Sequence, residues 1–233
     1  MTVTSSQLTR AAGVAAMTAG LIFIGVQVGH PDLDATSITT TEMEVRDSLK
    51  VLMAVLALVG ITGMYLRQVK ETGVLGLIGY VVLGIGYLAI MCTAYIAAFV
   101  LPSIAETDRS YVTDVIEATT GGTVTGDIGL LQTTTRVQDI AYLAGGLLFG
   151  IALYRARVLA RWASALLAVG GVVTVALSMM PDAFYRLLAV PNGIAMIALG
   201  YSLWSLERTG SATGSIPAAR RERGHVPQSA DRS

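Results

Sequence analysis

RLLAVPNGIAMIALGYSLWSL, residues Arg186–Leu206, is an apolar run that opens on an arginine and carries Gly200 fourteen residues later. The same layout occurs at Arg46–Leu66, RDSLKVLMAVLALVGITGMYL, with Gly60 fourteen residues on. It occurs again at Arg136–Tyr154, RVQDIAYLAGGLLFGIALY, with Gly150 at the same offset. Each run ends near an aromatic and a basic residue: Tyr65 and Arg67, Tyr154 and Arg155, Trp204 and Arg208. About 20 apolar residues suffice to cross a bilayer as a helix. The three stretches therefore read as the returning helices of three membrane hairpins.

Composition supports that reading. The 233 residues are 53% hydrophobic and only 14% charged, against about 25% charged in a soluble domain. The formal net charge is zero, so no nucleic-acid footprint is present. A single cysteine, Cys92, excludes an intrachain disulfide framework and a multi-cysteine zinc site. His30 and His225 lie outside the apolar runs, which argues against a bis-histidine haem at membrane depth. No H-E-x-x-H, no Walker-type loop and no mid-span lysine occurs. No cofactor or metal is therefore expected, and catalytic residues are not assigned.

Taken in order, the chain predicts an all-α integral membrane protein of six transmembrane helices. The spans fall at about residues 11–29, 46–66, 73–101, 136–154, 159–180 and 186–206. The first run has about 19 residues and lacks a small-residue cleavage site, so it is a retained span and not a signal peptide. Pro31, Pro102 and Pro181 each stand where an outgoing span should stop. Residues 102–135 form the one long connection; Tyr111–Ala118 in it can make an amphipathic helical turn or two, and its Gly/Thr-rich second half reads as irregular. Residues 209–233, rich in Ser, Gly, Pro and Arg, read as a disordered tail.

Basic residues orient the bundle. With the N-terminus cytoplasmic, that side carries 11 Lys and Arg against 5 on the other. Both termini are thus expected in the cytoplasm of a cell whose plasma or inner membrane holds the chain. The lipid bilayer is the expected partner, together with a small-molecule or lipid ligand and no nucleic acid; the oligomeric state stays open.

The candidate site residues gather at the outer rim: Arg46, Asp47, Lys50, Arg136, Asp139, Asp182 and Arg186. Read as helix N-termini, the arginines oppose the helix dipole. Arg46 beside Asp47, Arg136 before Asp139 and Asp182 before Arg186 would offset this. The group is either a set of local ion pairs snorkelling to the interface or a charged vestibule for an anionic or zwitterionic solute. Inside the last run, Pro191 frees a carbonyl and is a candidate kink, and Asn192 is a polar side chain in hydrocarbon that needs a neighbouring helix. Gly76, Tyr80, Gly84, Tyr87, Met91 and Tyr95 fall on one helical face, for close packing or for an apolar ligand.

Three features carry a resemblance: Arg10-Ala11-Ala12 and Arg161-Trp162-Ala163 at span starts, AAFVLPSIAE at the outer end of span three, and RWASALLAVGG opening span five. Over roughly residues 8–208 the chain resembles small bacterial multi-pass membrane proteins of actinobacterial type, grouped as families of unknown function. The resemblance implies a six-span inner-membrane fold and no catalytic or binding residue. Function therefore reads first as a non-enzymatic multi-pass membrane protein. A small transporter or solute- or lipid-binding protein using the outer vestibule is the alternative. A lipid- or quinone-directed enzyme with Asp47 or Asp139 as acid/base is a third reading, weakened by the lack of a nucleophile.

Overall fold

The computed structural model describes residues 2–177 and 189–213. The described residues are all-helical, without strands: α1 (Ser5–Gly25), α2 (Thr41–Arg67), α3 (Val69–Phe99), α4 (Leu101–Ala105), α5 (Arg109–Thr120), α6 (Leu131–Ala156), α7 (Arg161–Leu177) and α8 (Ala189–Thr213). Five of them, α1, α2, α3, α6 and α8, are long and apolar enough to cross a membrane. α7 is described over 17 residues. The proline at 181 and the tail beyond residue 213 lie outside the described residues.

Local chemistry moves several boundaries from where hydropathy puts them. α1 starts six residues early, because Thr4 and Gln7 form a capping box: Thr4 Oγ1 accepts from Gln7 N at 3.2 Å, and Gln7 Oε1 accepts from Thr4 N at 3.0 Å. α2 starts at Thr41, with Thr40 Oγ1 accepting from Met43 N. Glu42 and Glu44 then occupy its first turn, where negative charge suits the dipole. Arg46 and Arg136 are the sixth residues of α2 and α6. The expected conflict between these arginines and the helix dipole therefore does not arise, since both stand beyond the first turn. Pro102 does not simply stop a span: it sits in the first turn of α4, where its missing N–H costs nothing.

The helices pack as a closed sequence of neighbours: α1 on α2, α2 on α3, α3 on α6, α6 on α7, α7 on α8, and α8 back on α1. Two antiparallel seams are closest. Between α1 and α8, a methyl added at Gly13 would sit 2.8 Å from the Gly200 carbonyl, and one at Gly20 would sit 2.5 Å from that of Gly193. Between α3 and α6, Gly86 lies on the Tyr142 backbone, Gly79 on that of Phe149, and Gly145 on that of Leu83. Seven-residue spacing keeps each pair of glycines on one face. Of the three glycines fourteen residues beyond an arginine, Gly60 and Gly200 both meet Ala16 of α1, from α2 and α8, whereas Gly150 meets Ala168 of α7.

Side-chain size is distributed for lipid. The buried residues include Ala12, Ala16, Ala19, Ala54 and Ala57, whereas Leu21, Leu52, Val55, Val59, Leu77 and Ile85 are exposed. Water would penalise that outward apolar surface, while a bilayer does not; small residues inside let the backbones approach. The aromatic stripe of α3 points inward for most of its length. Tyr80 stacks on Tyr65 at 4.8 Å and Tyr87 meets Tyr142 edge-on at 5.5 Å, while Tyr95 is exposed beside Phe99.

A second, smaller core lies beyond the ends of α2, α3 and α6. Ile38, Leu101, Val112, Val115, Ile116 and Ile128 bury one another under α4, α5 and a 3-10 turn at Ser37–Thr39. α5 is capped by Asp108, whose Oδ1 accepts from Tyr111 N at 3.0 Å, and ends on left-handed Gly121 at φ 81°. The irregular segment after it is pinned by Asp114, which accepts from Thr125 N at 2.8 Å and Gly126 N at 2.9 Å. Those backbone donors, Thr125 first, hold the Asp114 carboxyl below its usual range against the opposing effect of desolvation. Its anchoring is therefore complete at neutral pH and is lost only in acid below the ordinary carboxylate range. Arg109 ties α5 to the 3-10 turn through Thr36 Oγ1.

The seams give a direct comparison. Gly86→Ala would place Cβ 2.7 Å from Tyr142 N, against backbone that cannot yield, whereas Cβ at Gly84 meets only Leu58 Cδ2 at 3.9 Å. Gly86→Ala is expected to destabilise by about 1–3 kcal/mol. Gly84→Ala should be neutral or gain up to about 1 kcal/mol of helix propensity. Reversible unfolding in mixed micelles reads both, and equal effects would contradict the seam.

Candidate functional site

Charge placement in α2 differs from the sequence reading. Asp47 does not pair with Arg46. Arg46 pairs with Glu42 one turn back at 2.7 Å, and its guanidinium also donates to the carbonyls of Val26 at 2.8 Å, Val28 at 3.0 Å and Gly29 at 3.0 Å. These are carbonyls at the C-terminal end of α1, which have no intrahelical donors. A planar fork of five N–H groups suits this task better than a lysine would. Arg46 is thus the cap that fastens α1 to α2.

Asp47 turns the other way, into the bundle. It pairs with Lys50, three residues on, at 2.7 Å. It is only 2% exposed, and its second oxygen, Oδ2, has no hydrogen-bond partner. Lys50 Nζ also lies 3.4 Å from His30 Nε2, and His30 Nδ1 lies 2.8 Å from the Pro31 carbonyl. A carbonyl only accepts and an ammonium only donates, so Nδ1 carries the imidazole proton and Nε2 accepts.

Asp47 and Lys50 line a cavity of about 190 Å³ between α2, α3 and α6, roofed by α4 and α5. Its walls are mainly apolar, from Ile90, Ala94 and Ala97 of α3 and Val115 and Ile116 of α5. Thr93, Thr119, Thr135 and Gln138 add polar groups. Thr93 Oγ1 donates to Gln138 Oε1 at 2.6 Å, which joins α3 to α6 across the wall.

The structure brings only Asp47 and Lys50 of the sequence-predicted rim together at this cavity. Arg136 and Asp139 are exposed on the flank of α6 and do not line it. The expected Arg136–Asp139 pair is not formed, whereas Arg46–Glu42 and Asp47–Lys50 are. Asp182 and Arg186 lie outside the described residues. Pro191 falls in the first turn of α8 as described. Asn192 is buried at 4% exposure away from the cavity, packed so closely on Gly170 of α7 that a methyl there would collide with Oδ1. The polar wall groups Thr93, Thr135 and Gln138 were not singled out from sequence. Their signal was weak: single hydrophilic residues in or beside apolar spans, which become notable only when α3 and α6 bring them to one volume. No group of His, Cys, Asp or Glu side chains among the described residues is arranged to hold a metal ion.

Comparison with protein-family models, with curated proteins and with solved structures finds no match.

The two arginines separate by role. Arg46→Ala removes three helix-end acceptor contacts and should cost about 1.5–3 kcal/mol, the range for hydrogen bonds from a charged group. Arg136→Ala, on an exposed flank, should stay within about 0.5 kcal/mol of the parent. Chemical unfolding in detergent measures both; an Arg46→Ala effect no larger than that of Arg136→Ala would remove the capping role.

Proposed function

We propose that this chain is a six-span integral membrane protein, with both termini cytoplasmic, that binds a small and largely apolar solute or lipid in the cavity roofed by α4 and α5. It does so without chemistry of its own. One observation carries the binding reading: Asp47 is a nearly fully buried carboxylate that lines an apolar cavity and leaves Oδ2 unpartnered. A buried acceptor without a donor costs about 1–3 kcal/mol, more when charged. A bound molecule that supplies the donor accounts for keeping the group there. The placement of Asp47 and Lys50, facing each other and not a wide rim of charge, favours a small neutral site over a charged vestibule.

The six-span topology rests on five long apolar helices, on α7 packed between α6 and α8, and on the excess of Lys and Arg at the end bearing the chain termini. The cavity then opens toward the outer half of the membrane. A cysteine at exposed Thr123, in a Cys92→Ser background, should be labelled by an impermeant maleimide on intact cells, and one at exposed Ser5 should not. Reversed labelling would overturn the orientation.

For binding, native mass spectrometry of the full chain released from lipid nanodiscs should show a small-molecule adduct. Ala97→Phe, which fills the cavity from the α3 wall, should remove that adduct while thermal stability in detergent is retained. An adduct that persists in a folded Ala97→Phe protein would place the ligand elsewhere, and the absence of any adduct in the parent chain would count against the reading.

A further inference from the structure

We infer that the cavity selects a neutral amphiphile with a hydroxyl head group, a lipid alcohol or a phenol, over charged and acceptor-only molecules of the same size. This rests on the binding reading above and adds the chemical class of the ligand.

Charge balance comes first. Asp47 and Lys50 neutralise each other at 2.7 Å. The charged pair that lines the cavity is therefore neutral as a unit. A ligand cation would lie beside Lys50 and a ligand anion beside Asp47, in a volume walled by Ile90, Ala94, Ala97 and Val115 where screening is weak. Either would also bring a desolvated net charge into a site whose own pair is already balanced.

Hydrogen-bond capacity comes second. Asp47 Oδ2 needs a donor. The threonine hydroxyls of the wall cannot serve, because each gives its proton to a protein acceptor. Thr93 bonds to Gln138 Oε1 at 2.6 Å, Thr119 to the Ile116 carbonyl at 2.7 Å, and Thr135 to the Leu131 carbonyl at 3.0 Å. Lys50 uses two directions, toward Asp47 and His30, and its ammonium has three protons. One ligand group that donates to Oδ2 and accepts from Nζ satisfies both ends of the pair. A hydroxyl does this with a single oxygen. A ketone, quinone or ether accepts only and leaves Oδ2 without a partner.

Size comes third. An apolar cavity of about 150 Å³ holds one benzene ring, so the 190 Å³ here takes a ring with a short substituent, or the hydroxyl and first carbons of a longer lipid alcohol. The two sources share this head-group chemistry, and the experiment separates them.

The test uses the full chain in nanodiscs and isothermal titration with four probes matched in heavy-atom count: 4-propylphenol, 4-ethylanisole, 4-methylbenzoate and 4-ethylbenzylamine. Saturable one-site binding of the phenol, at least tenfold tighter than each of the other three, is expected. Ala97→Phe should abolish it, with Ala94→Leu as the second blocking variant should the first fail to fold. The paired change Asp47→Asn with Lys50→Met keeps the site neutral and should bring the phenol down to the affinity of the anisole. If the benzoate, the amine or the anisole binds as tightly as the phenol at a site that the blocking variants remove, the hydroxyl class is wrong while the binding reading survives. If no probe binds in a way that the blocking variants remove, binding of 1-octanol or a monoacylglycerol with the same variant pattern assigns the site to lipid alcohols. Failure of those too overturns both the class and the binding reading.

Discussion

Helices α1 and α8 meet backbone to backbone, glycine against glycine, at Gly13 with Gly200 and at Gly20 with Gly193. α3 and α6 meet in the same way, with glycine against the main chain of an aromatic or leucine. In hydrocarbon the hydrophobic effect does not drive one apolar helix onto another, because lipid tails are as apolar as the side chains. Dispersion between closely approaching backbones has to do that work, and its strength decays steeply with separation. These two seams are therefore the constraint on which the other contacts depend. α2 and α7 then fill the two gaps between the seamed pairs.

The cavity is a consequence of how those elements end. α3 continues to Phe99 and hands the chain to α4 and α5, which fold back over the ends of α2 and α6 around their own apolar core. Arg46 closes the neighbouring side by capping α1, and so keeps its charge away from the interior. Asp47, the next residue, is turned by about 100° around the helix and points inward. Two adjacent charged residues thus take opposite tasks, one holding the rim together and one lining the cavity.

Much of this was legible along the chain. The long apolar runs, the small residues spaced within them and the sparse charges sufficed for an all-helical membrane-type fold. The Arg-to-Gly spacing marked positions that do lie at helix contacts. Less was legible where a helix begins or ends, since a capping pair such as Thr4 and Gln7 outweighs hydropathy there. Arg46 and Asp47 stand side by side in sequence but take different partners, because residues adjacent in sequence diverge on a helix while residues three or four apart converge. Glu42 and Lys50 were the partners by that rule.

By itself the sequence determined the class of environment: residues that are apolar along a whole helix leave the backbone polar groups satisfied only within the helix, and that suits lipid. It also determined the small faces that allow close approach. Only the tertiary structure decided which of those faces meet, that Gly60 and Gly200 converge on Ala16 while Gly150 meets Ala168, and that Asp47, Lys50, Thr93 and Gln138 border one volume. The physical reason is that a hydrogen bond or an ion pair acts over a few ångströms. Polar residues scattered singly over three spans and a roof become a site only when packing brings those elements within that distance.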